Sequence, residues 1–154
     1  MLKRIAFAVV IGILLTFNVS AATVSFYVVE AGINEEADKK VSELWETAFM
    51  DVFFDAGYII SNAPILRLDK SPSDILQVVD FKEASVCGID YMLIVLLDYK
   101  VGLPSPEEVS FYIYKVTKRE KVIERKIRQK QVPLKDDYNN MKSIARGFVP
   151  YIGE

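Results

Sequence analysis

The chain contains no histidine, so it lacks the side chain most often used as a general base and as a transition-metal ligand. It has one cysteine, Cys87. An internal disulfide is therefore excluded, and the apolar core must hold the fold without a crosslink. A zinc site would need a shell made almost wholly of carboxylates, an unusual donor set for that metal. There is no Ser-x-x-Lys motif, no glycine-rich phosphate loop and no spaced Asp/Asn loop for calcium. The adjacent pairs Glu107–Glu108 and Asp136–Asp137 would diverge on a strand or at a helix start, so neither forms a ready acid/base couple. These absences predict a protein without catalytic residues, cofactor or metal. Carboxylates alone can hydrolyse glycosides, and an enzyme of that kind is the remaining catalytic alternative. Cys87 has the chemistry of a reactive thiol or a dimer crosslink, but free cysteine is among the most buried residue types. Its place at a helix end against an apolar strand predicts burial.

Long apolar runs occur in two places. The first follows the basic start Met1-Leu2-Lys3-Arg4: Ile5 to Phe17 is apolar but for Gly12 and Thr16, and Val19-Ser20-Ala21 gives a small-x-small pattern before a cut after Ala21 or Ala22. Residues 1–22 thus read as a cleavable secretory signal peptide. A membrane anchor needs about 20 apolar residues, more than this run offers, and no cysteine stands at the cut to carry a lipid. The expectation is an exported bacterial protein of the periplasm, with residues 23–154 as a single domain. Removing Lys3 and Arg4 leaves 17 basic against 21 acidic side chains, a net charge of −4, which gives no reason to expect nucleic acid.

The second run is Met92 to Leu97, six large apolar residues with no period-2 alternation. A strand of this kind needs both faces covered, which describes a central strand. Its burial is worth on the order of 10 kcal/mol before chain entropy is subtracted. Gly88 stands where a left-handed residue would stop a helix and turn the chain into this strand.

In chain order, Thr23 to Glu30 is β-branched and aromatic and reads as the first strand. Asn34 is a helix cap, with Glu35, Glu36 and Asp38 in the first turn. Val41, Leu44, Trp45, Ala48, Phe49, Val52, Phe53 and Ala56 form a helical stripe that Gly57 stops. Met50 and Phe54 lie outside it. They suit either a partner contact or, as the expectation here, broad core contact and a neighbouring loop. Tyr58 to Ser61 is a short strand that continues extended to Leu68, with Pro64 marking an edge or an exit. Ser71-Pro72-Ser73-Asp74 predicts a second helix with Ser71 as cap and Pro72 at its first position, presenting Ile75, Val78, Val79 and Val86 to the sheet. Val109 to Val116 alternates, and Val122 to Gln131 is mostly charged. Together they predict an antiparallel hairpin with its second strand near an edge. Leu134 to Val149 is the last helix. The order βαβαβββα predicts an α/β (α+β) fold, a mixed sheet with about three helices in one domain.

Several of these segments are similar to those of a group of bacterial envelope domains. Gly57-Tyr58-Ile59-Ile60, then Ala84 through Gly88-Ile89-Asp90-Tyr91-Met92-Leu93-Ile94, the hairpin from Val109 to Ile127 and the helix after Leu134 follow one another as they do there. The chain resembles the N-terminal domain of TolB and, more loosely, the module in the curli secretion protein CsgG and the penicillin-binding protein activator LpoB. The resemblance implies a protein-binding module of the cell envelope and carries over no catalytic residue. No β-propeller follows as in TolB, and no lipidated cysteine precedes as in the other two.

Charge is segregated as well. From Lys115 to Lys130 the hairpin carries eight cations against Glu120 and Glu124, while residues 23–114 are correspondingly acidic. Tyr112, Tyr114, Lys118, Arg119, Lys121, Arg125, Lys126 and Arg128 are the candidate contact residues for an acidic envelope partner, with peripheral contact to anionic lipid as a variant. Two other readings stand beside this one. The same cations guard an edge strand against aggregation, or the chain binds a small ligand or a cell-wall or lipid headgroup in a pocket between the second helix and the central strand.

Overall fold

β1 (Thr23–Ala31) sits inside the parallel half of a mixed six-stranded sheet, where its apolar residues are buried on both faces. The computed structural model describes residues 21–32, 39–100, 103, 105–128 and 138–153. Residues 1–20 of the signal peptide, the Asn34 cap with its acidic turn, Lys130 and Asp136–Asp137 lie outside the described residues. The chain runs β1, α1 (Lys39–Asp55), β2 (Ile59–Asn62), β3 (Leu66–Leu68), a 3₁₀ turn (Ile75–Gln77), α2 (Phe81–Val86), β4 (Tyr91–Asp98), β5 (Glu108–Lys115), β6 (Glu120–Arg128), α3 (Tyr138–Arg146) and a second 3₁₀ turn (Val149–Tyr151). Strand order is β2-β1-β4-β5-β6, with β3 pairing the C-terminal half of β1. β1 is parallel to β2, β3 and β4, while β4, β5 and β6 are antiparallel.

β4 is the central strand that its apolar run predicts. Every residue from Tyr91 to Leu97 is buried, because β1 and β5 pair its edges and helical layers cover its faces. Gly88 enters it with φ +71°, and Asp90 closes the corner: its Oδ2 accepts from the Thr23 N–H (2.8 Å) and from Thr23 Oγ1 (2.9 Å). The Asp of the Gly-x-Asp motif is thus a clamp between the starts of β1 and β4.

One face holds the larger core. α1 and α3 lay Trp45, Phe49, Phe53, Met141 and Phe148 on Phe26, Phe111 and Ile113 of the sheet. The other face carries a smaller cluster in which Ile75, Val79 and Ala84 cover Met92, Ile94, Tyr112 and Tyr114. α1 stops as predicted at Gly57, whose φ of +89° lets Tyr58 N–H return to the Phe53 carbonyl.

Several expectations are corrected. The second helix is not continuous. Asp74, not Ser71, caps a single 3₁₀ turn by accepting from Leu76 N–H, and Asp80 caps the separate α2. Restarting at Asp80 resets the helical phase, so Val86 points outward at 81% exposed instead of facing the sheet. The same break leaves Cys87 exposed, against the predicted burial. Phe54 is 71% exposed, so neither core nor loop covers it. Tyr99, just past the end of β4, is buried. No helix among the described residues is long and apolar enough to cross a membrane.

Candidate interaction surface

The β5–β6 hairpin turns through Val116–Arg119, closed by the Arg119 N–H to the Val116 carbonyl at 3.2 Å. β6 is the sheet edge, as its charge content predicts. A bulge beside Ile113/Tyr114 sets the register. Val109, Phe111 and Ile113 face α1 and α3, opposite Ile127, Arg125 and Ile123, while Ser110, Tyr112 and Tyr114 lie opposite Lys126, Glu124 and Lys121 on the other face.

That register sorts the eight candidate residues by what each touches. Tyr112 is 9% exposed and Tyr114 is 5% exposed, stacked on one another and covered by Phe81, because the 3₁₀ turn and α2 close over their face. They are core residues and not exposed grips. Their rims, with Lys121 and Lys126, line a polar cleft of 240 Å³ beside Asp74. Lys121 pairs with Glu124 at 2.6 Å. Glu108 accepts from Arg128 Nε at 2.8 Å and from Lys126 Nζ at 3.2 Å, and the Ser110 hydroxyl also donates to it. The Arg125 guanidinium reaches the C-terminal end of α3, 3.8 Å from where a side chain on Gly147 would begin. Cations are favoured at that end of a helix. Lys118 and Arg119 are different. Both are exposed at the hairpin tip, with no ion pair among the described residues, and Arg119 holds φ +52°. A non-glycine residue in that region costs about 1–2 kcal/mol.

The Glu108 pairs make a pH prediction. The Arg128 hydrogen bond, with Lys126 in support, holds the Glu108 carboxyl below its ordinary value against the opposing effect of burial. A depressed folded-state value stabilises above the unfolded value and loses that contribution as pH falls through the folded value. Because Lys126 and Arg128 are half-exposed or more, the contribution is about 1 kcal/mol. Glu108→Gln is expected to lower stability by that amount at neutral pH in urea titrations, and the gap from the parent should close as the medium is acidified below the ordinary carboxylate range.

Residues 23–141 match the profile of a protein family described as "Uncharacterised protein". The chain belongs to that family. Comparison with curated proteins finds no match. Among solved structures, TolB from Acinetobacter baumannii is similar at 12% identity and a TM-score of 0.45, over 86% of this chain. This chain spans 27% of that TolB chain. A PelC dodecamer from Paraburkholderia phytofirmans is similar at 14% identity and a TM-score of 0.46, over 85% of this chain and 89% of that one. A second crystal form of PelC gives 14% identity and a TM-score of 0.42. These are weak likenesses of fold at low identity, and no function is drawn from them.

Sequence charge located the hairpin but not which of its cations are spent within the domain. Glu108, at the far end of β5, is what neutralises Lys126 and Arg128, and only the strand register brings it there.

Proposed function

We propose that this protein is an exported, non-catalytic module of the bacterial cell envelope that binds the acidic face of a partner protein through the tip of its β5–β6 hairpin. The observation that carries the reading is the pair Lys118 and Arg119, exposed and without an ion pair among the described residues, with Arg119 in a backbone conformation that glycine or asparagine would occupy at lower cost. Edge protection accounts for cations along β6, but it does not call for a strained arginine at the turn. The export signal and the missing histidine support the rest of the reading.

The test is cross-linking in the living parent cell, followed by mass spectrometry of what the tagged protein recovers from the envelope. One dominant envelope protein joined through Lys118 is expected. The double reversal Lys118→Glu, Arg119→Glu should weaken that complex at least about tenfold by placing like charges together, with an unchanged melting curve. Arg119→Gly separates the two roles of that residue: it should stabilise the fold by about 0.5–1 kcal/mol through relief of the positive φ, and still weaken the complex. Undiminished recovery of the partner by the double reversal would sink the assignment. Recovery of lipid vesicles in place of a protein would transfer the same tip to a membrane surface.

A further inference from the structure

Because α2 is under two turns long and buries only Ala84, the sheet beneath it is incompletely covered. A cleft of 380 Å³ remains between α2 and the β1–β2 end of the sheet, in the size range of small-molecule sites (about 300–1,000 Å³). Ser25 and Tyr27 of β1 line it together with Leu66, and Asp80, Glu83 and Cys87 come from the helical side. Two features bear on the kind of ligand that fits. Ser25 is only 7% exposed, yet its hydroxyl lines the cleft with no hydrogen-bond partner among the described residues. The hydroxyl is not sealed from solvent: it opens onto the cleft, where water or a polar atom of a ligand bonds it. The second feature is charge. Two carboxylates line the cleft and no lysine or arginine does. Asp80 Oδ1 is occupied in capping α2, accepting from the Lys82 and Glu83 N–H groups at 2.9 Å each, which leaves Oδ2 to face a ligand.

We propose that this cleft binds a small amphiphilic cation. Its apolar body rests on Tyr27 and Leu66, its ammonium group is held by Asp80 and Glu83, and a polar atom meets the Ser25 hydroxyl. An anionic headgroup would face two carboxylates without a counter-charge, so the ligand sign here is opposite to that expected at the hairpin tip. The site is independent of the hairpin: neither Lys118 nor Arg119 lines it.

Cys87, the only cysteine, stands exposed on the cleft wall and reports on it directly. The experiment follows the rate of Cys87 modification by the small neutral reagent methyl methanethiosulphonate, in the presence of 2-phenylethylamine, 2-phenylethanol or 3-phenylpropanoate. The amine is expected to slow modification at least about fivefold at saturation, and the alcohol and the acid to leave it unchanged. Glu83→Gln, at an exposed position that does not cap α2, should raise the half-protecting amine concentration about three- to fivefold, as expected for a partly exposed charge pair. Ser25→Val removes the hydroxyl and narrows the cleft floor, and should weaken protection; should that variant fail to fold, Glu83→Gln decides alone. No slowing by the amine, equal slowing by all three probes, or an unchanged amine dependence in Glu83→Gln would each overturn the proposal.

Discussion

Phe49→Ala is expected to destabilise the domain by about 4–5 kcal/mol and to lower its melting temperature by roughly 15–20 °C. Phe49 is fully buried on α1 and its ring has five aromatic neighbours: Phe26 at 5.2 Å, Phe111 at 5.8 Å, Trp45 and Phe148 at 5.9 Å, and Phe53 at 6.2 Å between centroids. These come from α1 itself, two strands of the sheet and the segment after α3, so truncation opens a void bounded by four separate parts of the chain. None of them can close it alone. The loss therefore combines the transfer of the ring with an uncollapsed cavity and missing ring contacts, near the upper end of the range for such truncations. Against a total of about 5–15 kcal/mol, this consumes roughly a quarter or more of the stability. Thermal and urea unfolding followed by circular dichroism would measure it. Phe54→Ala is the control: the neighbouring aromatic on the same helix is mostly exposed, and its loss should stay within about 0.5 kcal/mol. Equal effects of the two variants would mean that the aromatic cluster is not the centre of the core.

What could be read from the sequence is what local periodicity writes down. The stripe on α1, the unbroken run of β4, the stops at Gly57 and Gly88 and the charged edge strand each have a signature within about ten residues, and each is found in place. The second helical region was not legible in the same way. Ser71, Asp74 and Asp80 are all competent caps, and which of them starts a helix depends on how the segment lies over Met92, Ile94 and Tyr114. Choosing Ser71 puts Val86 on the sheet; the actual start at Asp80 turns it outward and exposes Cys87. The site was half legible for a related reason. Charge showed the hairpin, but the pairing of Glu108 with Arg128 joins residues twenty positions apart, and the bulge beside Ile113/Tyr114 adjusts their register. The cleft under α2 left one mark, a serine at an inward position among the apolar residues of β1.

The second large effect is expected at Gly32, where Gly32→Ala should cost about 3 kcal/mol. Two contributions add. The residue has φ +73°, a conformation that costs an alanine about 1 kcal/mol or slightly more. In addition, a Cβ at Gly32 would lie 2.4 Å from the Tyr99 carbonyl oxygen, which is backbone and cannot rotate aside. Tyr99 is fixed: its N–H donates to the Ala31 carbonyl at 2.9 Å and its side chain is buried. Gly32 is held in turn by its own N–H to the Leu68 carbonyl at 3.1 Å. The ends of β1, β3 and β4 therefore meet at one point, and admitting a methyl group means loosening at least one of these two bonds, a strain of about 1–3 kcal/mol. Gly57 and Gly88 allow the contributions to be separated, because both have positive φ but nothing within 4 Å of an added Cβ. Gly57→Ala and Gly88→Ala should each cost only the conformational part, about 1 kcal/mol. The difference between Gly32→Ala and these two, read from urea midpoints, measures the steric part alone. If all three cost the same, Tyr99 is free to move and the junction of the three strands is softer than its hydrogen bonds imply.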